Sequence, residues 1–265
     1  MRVPSTFGQY VPVDSPVHSL DARTKIGVIA LFTLGLFLAD GFAGLGGYAV
    51  VVAVVLWASH VPPRIALRGV RALGVLLLFT LLAHALRWQP ATVTLLRVGP
   101  IGVDPEGLRT GVFFAMRIVL LMVGTSLLTL TTTPVQLTDA LESLMRPASA
   151  LGVPSGEIAM MLTIALRFIP TTAQEAERVI IAQTARGARF DEGGLVTRVR
   201  AYVPVLVPLF VNLFRRAEDL ALAMDSRCYR GGRGRTRLHA AIMTPRDWLV
   251  LLLGGAALLA IGITF

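Results

Sequence analysis

Residues 154–187 read PSGEIAMMLTIALRFIPTTAQEAERVIIAQTARG, and residues 195–230 read LVTRVRAYVPVLVPLFVNLFRRAEDLALAMDSRCYR. In the first, Ile158, Met161, Leu162, Ala165, Leu166 and Ile169 recur at spacings of three and four, which predicts one apolar helical face. Pro154 opens that helix, Glu157 suits its positive N-terminal end, and Gly187 suits its stop. Pro170 predicts a kink or a restart midway. The second stretch predicts another long helix, beginning near Leu195 after the polar hinge Asp191-Glu192-Gly193-Gly194 and stopping at Gly231-Gly232. Its apolar centre, Tyr202 to Phe214, is interrupted by Pro204 and Pro208 and is too short to cross a bilayer alone. Each helix ends in an arginine among small residues: Ala185-Arg186-Gly187 and Ser226-Arg227-Cys228.

The sequence on both sides of this block is of a different kind. The 265 residues are 54% hydrophobic and only 15% charged, against about a quarter charged in soluble domains, which predicts an integral membrane protein. Uncharged runs place spans at Ile26 to Leu45, Gly46 to Ala58, Ala72 to Leu86, Gly107 to Thr131 and Trp248 to Phe265. Arg64, Arg68 and Arg71 follow Pro62-Pro63 and read as a basic loop, or as a short amphipathic helix with Ile65, Leu67, Val70 and Leu73 partly buried. Residues 89–106 read mainly as an external loop, in which Thr92 to Val98 and Gly102-Val103 would suit short strands. Arg117 sits inside the fourth span, within about three turns of its outer end, which favours snorkelling to that surface. Thr133 and Pro134 predict the capped start of a short amphipathic helix over Val135 to Leu144.

The formal charge of +9 comes from 24 arginines and the single Lys25. Fifteen of these 25 cations lie between Thr132 and Asp247, and cationic loops stay on the cytoplasmic face. The expected fold class is therefore all-α: a polytopic membrane protein with about five transmembrane helices plus long cytoplasmic coupling helices. Its divisions are a cytoplasmic N-terminal segment (1–25), a four-span region (26–131), a cytoplasmic coupling-helix region (132–244) and a final transmembrane helix (245–265). The N-terminal residues lack an early apolar core, so the first span is expected to be retained.

Catalytic patterns are missing. There is no G-x-x-x-x-G-K-[ST] loop, no H-E-x-x-H and no G-x-S-x-G, so neither nucleotide hydrolysis nor a cofactor is expected of this chain. His18, His60, His84 and His239 lie in four separate segments, and His84 within a span reads as a hydrogen-bonded structural residue. The one cysteine, Cys228, excludes an internal disulfide. Only Tyr229 interleaves the Arg227–Arg237 tract, which argues against nucleic-acid stacking. A helix-rich cytoplasmic block without a nucleotide site suits a joint to a separate ATPase, since terminal arginines can pair with a partner's carboxylates. On spacing alone, Arg186 and Arg227 also read as ordinary C-terminal arginines favoured by the helix dipole.

Several segments together resemble the transmembrane T component of energy-coupling factor (ECF) transporters. They are Ser15 to Lys25, Leu166-Arg167-Phe168-Ile169-Pro170 with Glu175, Ala182 to Gly187, and Arg216-Ala217-Glu218 through Ala223 to Tyr229. The resemblance covers nearly the whole chain. It implies a non-enzymatic helical scaffold that links two cytoplasmic ABC-type ATPase subunits to a small membrane S component, which captures a vitamin or metal ion. Ala185, Arg186 and Gly187, with Ser226, Arg227 and Cys228, would be the ATPase-coupling motifs. Met161, Leu162, Leu166, Val207, Phe210 and Phe214 would offer apolar contacts to the S component. Ser226 and Cys228 depart from the family's Ala-Arg-Gly, and the change from glycine bears on the helix-end conformation. A conventional ABC importer permease, the rival reading, would need substrate-lining polar residues in its spans, and few occur there.

Overall fold

A computed structural model describes residues 10–88, 96–98, 101–147, 152, 154–190, 192, 194–231 and 243–265. The structure is predominantly helical and divides into two compact units, residues 1–140 with 240–265, and residues 141–239.

The first unit is a helical bundle. It contains α1 (Ala22–Leu38), α2 (Phe42–Ala58), the short α3 (Pro63–Ala66) and α4 (Arg68–Ala72), α5 (Gly74–Ala85) and α6 (Pro105–Thr131). The chain's last segment joins it as α11 (Pro245–Leu249), a π-helical turn at Val250–Gly254 and α12 (Gly255–Thr264). The core is Phe32, Leu36, Leu45, Tyr48, Val52, Leu120, Val123, Leu127 and Leu258. Small residues let these helices approach closely, as membrane packing requires. A Cβ on Gly262 would overlap the Gly35 carbonyl, and one on Gly107 would overlap the carbonyl of His84. Gly35 also leaves room for the Tyr48 ring, whose hydroxyl donates to the Leu258 carbonyl at 2.5 Å. One phenol thereby ties α1, α2 and α12 together.

Three single helical runs among the described residues are long and apolar enough to cross a membrane: Pro105–Thr131, Pro245–Thr264 and Val196–Ser226. The pair Pro63–Ala72 and Gly74–Ala85, bent by 57°, makes a fourth if it counts as one span. The first expected span, Ile26 to Leu45, is divided. Asp40 and Gly41 stop α1, and Phe42 to Leu45 start α2, leaving two 17-residue helices at the lower limit for spanning. Arg64, Arg68 and Arg71 lie on α3 and α4 rather than in a loop, with Ile65, Val70 and Leu73 partly buried and Leu67 exposed. Three short strands, β1 (Leu86–Trp88), β2 (Leu96–Val98) and β3 (Ile101–Val103), form an antiparallel sheet of order β1-β3-β2. Leu96 pairs with Val103 and Arg97 with Gly102, as the strand reading of this segment expects, while residues 92–95 lie outside the described part.

Arg117 finds partners within the bundle. Its guanidinium donates to the carbonyl of Ala39, the residue that ends α1. It also lies over the Phe113 ring at 4.6 Å, with Phe37 and Phe114 at 5.9 and 5.7 Å. An open carbonyl at a helix C-terminus and the negative faces of three rings offset the loss of water around the charge. His84 fills the structural role expected of it, with Nδ1 2.8 Å from the Thr80 carbonyl.

The N-terminal segment is folded back as a strap. A turn at residues 16–19 sets the Ser15 hydroxyl 2.7 Å from His18 Nδ1, while His18 Nε2 lies 3.1 Å from the Val11 carbonyl. The Val11 amide donates to the Leu130 carbonyl at 3.0 Å. Buried Lys25 donates to the Thr131 carbonyl at 2.9 Å and to that of His18 at 3.3 Å. The Asp21 amide donates to Asp247 Oδ1, and Asp247 closes a capping box with Thr244. Strap, end of α6 and start of α11 are therefore joined by polar groups that satisfy one another.

The second unit holds α8 (Ser155–Ala185), α9 (Leu195–Ala201) and α10 (Val203–Ser226). Between the units in sequence, α7 (Pro134–Met145) begins with the expected cap. Thr133 Oγ1 accepts from the Gln136 amide and Gln136 Oε1 accepts from the Thr133 amide. Of the kink or restart expected at Pro170, the restart does not occur, since Pro170 lies inside an uninterrupted α8.

Candidate coupling site

The second unit is organised by the antiparallel pair α8 and α10, which touch at three levels. Pro208 has no amide proton and cannot bond back to the Pro204 carbonyl one turn earlier. Gln183 Nε2 of α8 lies 3.4 Å from that carbonyl and supplies a donor from across the pair. Further along, Arg216 of α10 forms an ion pair with Glu175 of α8 and lies 5.6 Å from the Phe168 ring. Beyond the end of α10, Gly231 lies beside Glu157, where an added Cβ would come 3.5 Å from Glu157 Oε1. Sequence order along α8 is reversed along α10 at these contacts. Arg186 and Arg227 therefore stand at opposite ends, each eleven residues past the Glu175–Arg216 contact on its own helix, and so about 33 Å apart along the pair.

The two ends have the same geometry. At the first, Arg186 is the C-cap and Gly187 has φ +88°. The Ala188 amide donates to the Gln183 carbonyl and the Gly187 amide to that of Thr184, both at 3.0 Å. At the second, Arg227 is the C-cap and Cys228 has φ +55°. The Tyr229 amide donates to the Met224 carbonyl at 3.1 Å and the Cys228 amide to that of Asp225 at 2.9 Å. Both sets are the paired six-to-one and five-to-two bonds of a Schellman turn. The cysteine therefore adopts the left-handed conformation of the glycine it stands for, and the departure in the second motif leaves the helix-end geometry unchanged.

Arg186 and Arg227 are exposed, and neither makes an ion pair among the described residues. Ala185, Gly187, Ser226 and Cys228 are exposed around them, so each arginine is presented on a low collar of small side chains. Arg189 and Glu192 form an exposed pair at 2.7 Å beside the first end.

The six apolar residues expected to face the S component do not form one patch. Met161 and Leu162 are exposed and Leu166 is half-buried on α8; Val207, Phe210 and Phe214 are exposed on α10. Phe214 lies two residues from Arg216, at the level of Glu175, and Leu162 lies thirteen residues before Glu175, about 20 Å along α8. The antiparallel pairing separates the two sets along the axis. Gly193 and Arg233, Arg235 and Arg237 lie outside the described residues, and Gly194 is the N-cap of α9. The cross-links at Gln183 and at Glu175–Arg216 were not foreseen from sequence. The lone amide side chain opposite a proline-freed carbonyl becomes informative only once the pairing is known.

Fold and site together define a predominantly helical, polytopic membrane protein with two exposed, similarly capped arginines at the ends of one antiparallel helix pair. The family model CbiQ, described as Cobalt transport protein, matches residues 14–238, and the chain belongs to that family. It is similar to the Energy-coupling factor transporter transmembrane protein EcfT of Heliobacterium modesticaldum, 48% identical over 247 residues, covering 92% of this chain and 91% of that protein. It is 50% identical over 246 residues to the protein of the same name from Thermanaerovibrio acidaminovorans, covering 93% and 91%. The Bacillus subtilis protein of that name is 42% identical over 248 residues, covering 92% of each chain. The resemblance drawn from the motifs thus extends over most of the chain.

Proposed function

We propose that this chain is the T component of an ECF transporter, a non-catalytic membrane subunit that carries ATP-driven motion from two cytoplasmic ABC-type ATPases to a membrane S component. The matched, Schellman-capped arginines at the two ends of the α8–α10 pair carry this reading. One helix end serves each ATPase, where its guanidinium pairs with acidic groups. Exposed Met161, Leu162, Val207, Phe210 and Phe214, with half-buried Leu166, contribute apolar surface to the S component, in two patches. Residues 132–244 and the N-terminus are cytoplasmic, in keeping with 15 of the 25 cations lying between Thr132 and Asp247. The S component selects the vitamin or metal ion taken up.

The test is the double variant Arg186→Ala/Arg227→Ala, co-expressed with the ATPases and the S component. Loss of ATPase co-purification and of uptake is expected; normal association and uptake would remove the assigned role.

The run Val196–Ser226 is long and apolar enough to cross a bilayer, which favours a second reading in which it does so, as in a conventional importer permease. Against it stand Arg198, Arg200, Arg215, Arg216, Glu218 and Asp219 around a short apolar centre. Cys228 is the chain's one cysteine and is exposed. A membrane-impermeant thiol reagent should label Cys228, and Ala188→Cys in a Cys228→Ser background, from the same cytoplasmic side. Labelling from opposite sides would establish the span.

A further inference from the structure

The ion pair between Glu175 and Arg216 lies at corresponding points of its two helices. Glu175 precedes Arg186 by eleven residues on α8, and Arg216 precedes Arg227 by eleven on α10. Eleven residues are close to three full turns, about 16 Å, so each pair member shares a helix face with the arginine that ends its helix. At the crossing, that face is turned to the other helix; three turns later, it presents the terminal arginine.

The chemistry of the crossing differs from its surroundings. Both side chains are about three-quarters covered, and Arg216 also lies over Phe168, two turns before Glu175. Apolar ridges can slide along one another by small steps, because their contacts are weak and non-directional. A shielded guanidinium–carboxylate pair is directional and loses its bond if the helices slide. Rotation about the crossing leaves it closed. The other polar link between these helices, Gln183 to the Pro204 carbonyl, lies towards the Arg186 end and also opposes sliding there.

We infer that Glu175 and Arg216 are positioning residues forming the pivot of the coupling helices. It has equal arms to Arg186 and Arg227, and turns displacement at the ATPase-facing ends into rotation of the pair rather than slippage. The inference rests on the function proposed above.

The experiment uses the whole complex in proteoliposomes, with Glu175→Gln, Arg216→Gln and the swap Glu175→Arg/Arg216→Glu. Assembly, ATP hydrolysis and substrate uptake are measured on each preparation. In the single variants, uptake per ATP hydrolysed should fall at least about threefold per assembled complex, and the swap should recover most of it. A merely structural role would lower uptake and hydrolysis together with the amount of complex, leaving their ratio unchanged. That unchanged ratio, or a swap no better than the singles, overturns the pivot. Where a single variant fails to assemble, the swap decides by the same two readouts: recovery supports the pivot and failure to recover overturns it. Arg186→Ala/Arg227→Ala is run alongside. If that variant loses the ATPases while the pivot variants couple normally, only the pivot fails. If it keeps them, the underlying assignment fails.

Discussion

Cys228 holds a left-handed backbone that an L-residue adopts at a penalty of about 1–2 kcal/mol, because its Cβ crowds the following carbonyl. Cys228→Gly removes that strain but gives the unfolded chain more freedom. The net expectation is a helix end stabilised by about 0.5–1 kcal/mol, read as a higher thermal midpoint in detergent, with ATPase association unchanged. Arg117 is a second single-residue case. Arg117→Met keeps much of the volume and the contact with Phe113 but removes the donor to the buried Ala39 carbonyl. A buried acceptor left open costs about 1–3 kcal/mol, so this variant should lower the thermal midpoint and lose yield on extraction. An arginine snorkelling to the surface would show little such loss.

Among the elements, caps and prolines account for most boundaries. Thr133 and Gln136 bond reciprocally at the start of α7, and Thr133→Ala should destabilise that helix by about 1 kcal/mol, measurable as faster amide exchange in its first turn. Proline acts differently at its several positions. Pro134 and Pro245 sit in first turns, where the missing amide has no partner to lose. Pro208 is internal, and its freed carbonyl partner is served by Gln183 of the neighbouring helix. Gln183→Leu should therefore loosen the α8–α10 pair near its Arg186 end, by about 0.5–1 kcal/mol, seen as local amide exchange around Pro208 and not around Arg216.

For the molecule as a whole, the strap gives the fold a dependence on pH. Burial holds the His18 pKa below the ordinary 6.5, against the opposing effect of the Val11 carbonyl. The neutral ring fits its site, with Nε2–H donating to Val11 and Nδ1 accepting from Ser15. Since the folded chain binds the proton less readily than the unfolded chain, the full contribution of His18 is present above 6.5 and is lost as pH falls below that value through the lower pKa of the folded chain. Protection of the Val11 amide, bonded to the Leu130 carbonyl, should fall over this range, and His18→Gln should flatten the response.

The sequence by itself determined the helical class, the apolar runs, the cap at Thr133 and the two arginine-terminated ends, because these depend on period, composition and the φ preferences of a few residues. The tertiary structure alone decided how those ends are arranged. Antiparallel packing sets Arg186 and Arg227 far apart, separates the apolar sets around Leu162 and Phe210, and brings Glu175 to Arg216 across 41 positions of chain. It also placed Arg117 against the end of α1 and showed Cys228 in a glycine's conformation. Such facts depend on what a neighbouring element supplies: a carbonyl, a ring face, a donor for the bond a proline cannot make. Local sequence states that the need exists, and only packing brings the group that meets it.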